Sequence, residues 1–285
     1  PQMLTATFCG AALATCGLLL QTAFRNPLAG PSILGIDSGA SLGVAVAMML
    51  FGGSMAMGGL SLGGYMLSIM AALAGAMAIM VLLSALNALL RSTVMLLITG
   101  VIISYITGSL ISLLQFWASH DGLQAYVLWG MGNFSSVSTE RLPFFIGLVS
   151  LGLVMALLMM KPLDALLLGD RYAQNLGVNT TRTRHMLLLA TGLLSAITTA
   201  FCGPVSFIGL ATPHMARFMS PSGSHRALLP RTMALGASIA LACNLLCNLP
   251  ESSVLPINVL TPLIGAPVIV YHTLAPALSA RRRKG

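Results

Sequence analysis

The chain is 285 residues long, 56% apolar and only 7% charged, with a mean hydropathy of +0.91. So low a charge content, against the quarter usual in soluble domains, excludes an ordinary water-soluble globule. Fourteen basic residues against six acidic give a net charge of +8, but their placement in short segments between apolar runs argues against nucleic acid as a partner.

Apolar runs of 18 or more residues read as membrane-spanning helices, so the expected fold class is an all-α polytopic membrane protein. In chain order, the first span covers 3–24 and ends at Arg25. Residues 25–41, RNPLAGPSILGIDSGAS, are too rich in Pro, Gly and Ser for a continuous helix. Asp37 or Ser38 is expected to cap a short second span over 41–51, near the inner face. After a GGSMAMGG turn, a third span covers 60–86, and Ser92 caps a fourth over 93–116. Residues 120–141 form a polar-aromatic connection containing Tyr126 and Trp129, placed at the interface.

A fifth span, 143–160, leads into the most charged stretch of the chain, KPLDALLLGDRYAQNLGVNTTRTR, residues 161–184. Two short helices fit inside it: 163–168, closed by Gly169, and 171–176, opened by Asp170 and closed by Gly177. A polar helix pair between two membrane-length segments is what a membrane protein offers to a soluble partner. The sixth span is 185–202, and a short seventh span at GPVSFIGLATPHMARFM is broken by Pro204, Gly209 and Pro213. Residues 225–231 read as a second basic loop, 232–249 as the eighth span, PESSVLPIN as a partly re-entrant turn, and 259–278 as the ninth span.

With nine spans and the C-terminus inside, thirteen of the fourteen basic residues fall on the cytoplasmic side; Arg141 alone is outside, beside Glu140. Residues 161–184 are then cytoplasmic. The chain has no P-loop, no HExxH, no nucleophile elbow and no histidines at ligand spacing, so neither ATP binding, a metal site nor covalent catalysis is expected of it. Its five cysteines lack any CxxC pair and read as packing residues. Ionisable residues near span centres are also missing, Asp37 being the one acidic residue within membrane reach. Energy for any transport must therefore come from a cytoplasmic ATPase docked on the polar loop. Two rival classes are an ion-coupled secondary transporter and a membrane-embedded enzyme or assembly scaffold.

Five stretches then carry a family resemblance: RNPLAGPSILGIDSGASLG (25–43), LLLGDRYAQNLGV (166–178), GPVSFIGLATPHMAR (203–217), HRALLP (225–230) and LPINVLTPLIGAP (255–267). In this order and spacing the chain resembles the permease subunit of the type II ABC importers for cobalamin, haem and ferric siderophores, the FecCD-like permeases. The resemblance covers essentially the whole chain. It implies a single permease domain over 1–285, with a coupling loop at 161–184. Family members have ten helices and an "RLPR" segment before the second, with which Pro1-Gln2 aligns, so the nine spans are expected to be helices two to ten.

Carried over by motif, Pro162, Asp164, Gly169, Asp170, Arg171, Ala173, Leu176 and Gly177 match the coupling helices that dock into the ATPase. Asn26 and Leu28 match residues narrowing the cytoplasmic end of the pathway, and Ser92 and Thr93 match a second constriction. The resemblance further implies a homodimer in a bacterial inner membrane, surrounded by lipid, with cytoplasmic ATP-binding subunits and a periplasmic substrate-binding protein as partners, and no cofactor. Where relatives carry arginines for that binding protein, this chain has Gln2 and Cys247.

Overall fold

A computed structural model describes the backbone of residues 1–50, 55–57, 60–62, 64–89, 93–219, 223–249 and 255–282. Twelve helices dominate it: α1 Gln2–Phe24, α2 Ile36–Leu50, α3 Gly64–Leu89, α4 Thr93–Trp117, α5 His120–Gly130, α6 Leu142–Leu158, α7 Met160–Leu167, α8 Asp170–Asn175, α9 Thr180–Cys202, α10 Ile208–Phe218, α11 His225–Cys247 and α12 Ile257–Arg282. One antiparallel ribbon, β1 Met55–Met57 against β2 Leu60–Leu62, precedes α3.

The bundle is organised around α1. It is apolar on every side, as a helix surrounded by protein must be, and 78% of its apolar window is buried. It packs against α11, α10, α9 and α6. Lipid tails are as apolar as leucine, so such packing depends on close backbone approach rather than on the hydrophobic effect. Glycine supplies that approach. A Cβ at Gly17 would collide with the backbone carbonyl of Gly209 at the start of α10, and one at Gly10 with that of Gly236 in α11. At the other extreme, α4 has only 22% of its window buried and exposes Val94, Ile98, Ile102, Ile106 and Phe116.

Among the described residues, five helices (α1, α3, α4, α9 and α11) are long and apolar enough to cross a membrane, or six if α6 and α7, bent by 50° at Met159, count as one. The shorter apolar α2 and the start of α12 accompany them. This agrees with a polytopic all-helical membrane fold.

Several expected boundaries move. Within the polar-aromatic connection, residues 120–130 form a helix, capped by the Ser119 side chain accepting from the Gly122 N–H at 3.2 Å. The sixth span starts earlier, at Thr180, because the Asn179 side chain caps it, accepting from the Arg182 N–H at 2.9 Å. Arg182 and Arg184 therefore lie on a helix, not in a loop. The presumed basic loop 225–231 is the first two turns of α11, opened by Ser224 and continuing through Pro230. The third span begins at Gly64 because 60–62 is a strand.

The largest revision concerns Asp37. The helix it was expected to cap already begins at Ile36, so Asp37 sits in its first turn and caps nothing. Two residues on, Gly39 meets Gly75 in the middle of α3, and the Asp37 carboxylate reaches Ser195 and Thr199 in the second half of α9. Ser92 and residues 250–254 of the expected re-entrant turn lie outside the described residues.

Candidate functional site

At one end of the bundle, the C-terminus of α1 meets α7, α8, the start of α9 and the start of α11. Met159 separates α6 from α7, and the 50° bend swings α7 out of the bundle axis. Gly169, at φ 114°, then turns the chain into α8, and Gly177, at φ 81°, ends it. Side chains with a Cβ rarely adopt such angles, which is why these two glycines mark the breaks. Both expected short helices are present, with α7 starting three residues earlier than read from the sequence.

Two polar ties fasten this pair to the core helices. In the first, Asp164 of α7 accepts from the His225 backbone N–H at 2.8 Å, from His225 Nδ1 at 2.6 Å and from the Ser224 hydroxyl at 3.0 Å. His225 is buried, and its Nε2 lies 2.8 Å from the Thr22 hydroxyl on α1. Burial alone would push the Asp164 carboxyl up, but the bonds from His225 and Ser224 outweigh it and hold it below the usual carboxylate range. In the second tie, Asp170 of α8 pairs with Arg184 of α9 at 2.6 Å and with Arg25 at 3.7 Å. Arg25, in the left-handed conformation that ends α1, also donates to the Leu166 carbonyl at 3.0 Å.

The remaining coupling residues sort by depth. Ala173 is fully buried and seats α8 on Ala165 and Leu166 of α7, whereas Pro162 is half-buried. Arg171 and Leu176 face outward, and Leu167, Leu168 and Tyr172 join them in an exposed apolar patch, Leu168 being 63% exposed. Lys161, Arg171 and Arg182 are exposed in the same segment.

The second candidate group does not come together as completely. The Asn26 side chain accepts from the Leu28 N–H at 2.9 Å, so its visible role is to shape the turn that presents Leu28, which is 47% exposed. His214 supports the same turn, its Nε2 lying 2.8 Å from the Pro27 carbonyl. Leu28 lines a cavity of about 240 Å³ with Leu13, Pro31, Ser32, Ser206, Phe207 and Asp37 among others. Thr93 is the first residue of α4, while Ser92 is outside the described residues.

Sequence reasoning missed Arg25, Arg184, His225 and Asp37 as members of these groups. Arg25 and His225 stood at the head of two of the quoted motifs, a signal that was available. The partners of Asp37 are 158 and 162 residues away, and no local pattern reports them. The two hydroxyls satisfy its Oδ1 inside the bundle, and among the described residues it forms no ion pair.

At the opposite end, Arg141 lies 4.8 Å over the Tyr65 ring, and Asn258 ties α12 to the Gly130 carbonyl at 3.0 Å and the Pro204 carbonyl at 2.5 Å. Gln2 donates to the Asn244 side chain at 2.8 Å, and Cys247 is buried at 2% exposure. Neither presents a charge outward.

Comparison with known proteins gives the family of the chain. The model of the FecCD transport family matches residues 1–275. The vitamin B12 import system permease protein BtuC of Klebsiella pneumoniae is 35% identical over 275 residues, covering 96% of this chain and 80% of that protein. The Fe(3+) dicitrate transport system permease protein FecD of Escherichia coli is 38% identical over 272 residues, covering 95% and 82%. The molybdate import system permease protein MolB of Haemophilus influenzae is 36% identical over 275 residues, covering 95% and 79%. A solved structure described as an inward-facing conformation of a metal-chelate type ABC transporter superposes with a TM-score of 0.87 at 31% identity, covering 96% of this chain and 85% of the other.

Proposed function

We propose, from the premise that this chain belongs to the FecCD transport family, that it is the membrane permease of an ATP-driven importer for a metal chelate. The family is one of ABC import permeases, and the cargo class is our inference. Two copies would line one central path in a bacterial inner membrane, with ATP-binding subunits on the charged end and a substrate-binding protein on the other. In this reading the nine-span topology, with residues 161–184 as the cytoplasmic coupling loop of one permease domain, follows from the positive-inside rule.

One observation carries the reading: exposed apolar residues on α7–α8 are fastened through Asp164–His225–Thr22 to the start of α11 and to α1, one of the two most buried spans of the bundle. A partner that moves this patch moves the core, and no catalytic chemistry in this chain is needed. Pro162, Gly169 and Gly177 set the geometry of the patch, Ala173 seats it, and Arg171 and Leu176 touch the partner. Asn26 and Leu28, with Ser92 and Thr93, narrow the path. Relatives named for vitamin B12, ferric dicitrate and molybdate span neutral and anionic cargoes, so family membership alone does not select among cobalamin, haem and ferric siderophores.

A second reading, ion-coupled transport, draws on the Asp37 carboxyl held against α9, and the family match weighs against it. Reconstituting the permease with its ATPase and binding protein in proteoliposomes separates the two. Uptake of the chelate held by the binding protein should require ATP and ignore imposed proton or sodium gradients. Uptake driven by a gradient without ATP would overturn the proposal.

A further inference from the structure

The side-chain amide of Asn258 fastens three backbone groups at the end of the bundle opposite α7–α8. Its Nδ2 donates to the Gly130 carbonyl at 3.0 Å and to the Pro204 carbonyl at 2.5 Å, while its Oδ1 accepts from the Ser206 N–H at 3.0 Å. Two carbonyls and one N–H fix the orientation of the amide, and no other side chain of this length offers two donors and an acceptor. Gly130 ends α5, where a helix leaves its last carbonyls open, and residues 203–206 belong to no helix. All three groups therefore need a partner from elsewhere.

What the amide connects goes beyond satisfying them. The Asn133 N–H donates to the Cys202 carbonyl at 2.8 Å, and a Cβ on Gly203 would stand 2.5 Å from the Trp129 carbonyl, so the end of α5 lies directly on 202–206. On the outer side of that contact, Val127, Leu128 and Met131 are exposed. On the inner side, Ser206 and Phe207 line the cavity of about 240 Å³ that Leu28 also lines. Phe207 is held at φ 67° and opens α10 without a side-chain cap. That conformation is costly for a bulky residue and persists only where neighbours impose it. Its neighbours include α12 twice: Asn258 grips the preceding residue, and a Cβ on Gly265, two turns further on the same face, would stand 3.0 Å from the Phe207 Cβ.

We propose that Asn258 is a positioning residue of the transport cycle, through which a protein docking on the end of α5 resets the Ser206–Phe207 wall of the cavity. This role rests on the import reading, which puts the binding protein at this end and Leu28 on the path. Displacing the end of α5 pulls the Gly130 carbonyl, and the amide carries that movement to Pro204 and Ser206. Phe207 then leaves its strained conformation and the cavity changes shape. The amide does at this end what the Asp164 tie does at the other.

The test uses the reconstituted complex of permease, ATPase and substrate-binding protein. Asn258→Asp keeps an acceptor for the Ser206 N–H but has no donor for Gly130 or Pro204, so it separates α5 from the wall. ATP hydrolysis is measured against binding-protein concentration and divided by each complex's own basal rate. Two lost neutral hydrogen bonds shift a two-state equilibrium by about tenfold. Maximal stimulation should therefore fall towards the basal rate, while the half-saturating concentration of binding protein stays at the native value. Asn258→Ala, which loses all three bonds, serves if Asn258→Asp does not fold. A second readout leaves Asn258 intact. The five native cysteines are buried and Ser206 is exposed, so the rate at which a maleimide modifies Ser206→Cys should change several-fold when the binding protein is added. Full stimulation in the Asn258 variant, or weaker binding with full stimulation at saturation, would overturn the proposal, as would a Ser206→Cys rate indifferent to the binding protein. A native complex whose ATPase ignores the binding protein would count instead against the import reading on which this role rests.

Discussion

Removing the Asp164 carboxylate should uncouple this permease from its ATPase without preventing the two from meeting. Asp164 is the acceptor for three donors, and two of them, the backbone N–H and the ring of His225, belong to a residue only 1% exposed. In Asp164→Ala each of these buried N–H groups loses its partner, at a cost of about 1–3 kcal/mol apiece. The Ser224 hydroxyl can turn elsewhere and adds little. A total of about 2 kcal/mol or more corresponds to a shift of roughly thirtyfold or more between docked and undocked α7. The patch that meets the ATPase stays intact, because Leu167, Leu168, Tyr172 and Leu176 are untouched. The assay is uptake and ATP hydrolysis measured together in proteoliposomes. Hydrolysis should persist while uptake per ATP falls several-fold, and the melting temperature in detergent should drop. Asp164→Asn, which retains one acceptor oxygen for the ring N–H, should fall between. The hydrogen bonds hold this carboxyl below its ordinary range, so the tie is complete above the usual carboxylate pKa and is lost as pH falls through the depressed value. An uptake-to-hydrolysis ratio unchanged by Asp164→Ala, at equal melting temperature, would refute the argument.

Other outcomes follow from the same geometry. Reversing Asp170 to Arg should place three cations together with Arg184 and Arg25 and abolish coupled transport, whereas Arg171→Glu, on the exposed face, should weaken ATPase affinity and leave the melting temperature alone. Leu28→Trp should slow uptake at unchanged membrane level, read as initial rates against wild type; equal rates would remove Leu28 from the path. Gly17→Val would drive a side chain into the Gly209 carbonyl and should leave little folded protein after extraction, because nothing at that backbone contact can move aside. With Gln2 hydrogen-bonded to Asn244 and Cys247 buried, affinity for the binding protein should fall only shallowly with salt. A steep fall abolished by Arg141→Ala would show that one arginine had taken over the docking charge.

What the sequence made legible was whatever rests on local chemistry. The apolar runs located α1, α3, α4, α6, α9 and α11, and the two glycines at positive φ located the breaks around α8. Local chemistry misleads when a polar stretch is still helical: residues 180–184 and 225–231 looked like loops because they are basic, yet each follows a capping Asn or Ser and simply extends a span. It is blind to Asp37, whose short-range pattern says cap and whose partners come from a helix about 160 residues later. The exposed face of α7–α8 was half visible. Its charges and Leu176 stood out in the sequence, but Leu167 and Leu168 read as ordinary apolar residues until α7, bent by 50° from α6 at Met159, left them exposed.

If the α7–α8 face transmits ATP hydrolysis into the bundle, exchanging its exposed apolar side chains for charge should break that transmission. In Leu168→Glu with Leu176→Glu, both side chains are exposed, so the permease should extract and melt like wild type. This variant should no longer retain the ATPase subunit through purification or import chelate, while the same exchange at exposed Leu110 and Leu113 on α4 should leave the ATPase bound. Retention of the ATPase with full ATP-driven uptake in the α7–α8 variant would contradict it.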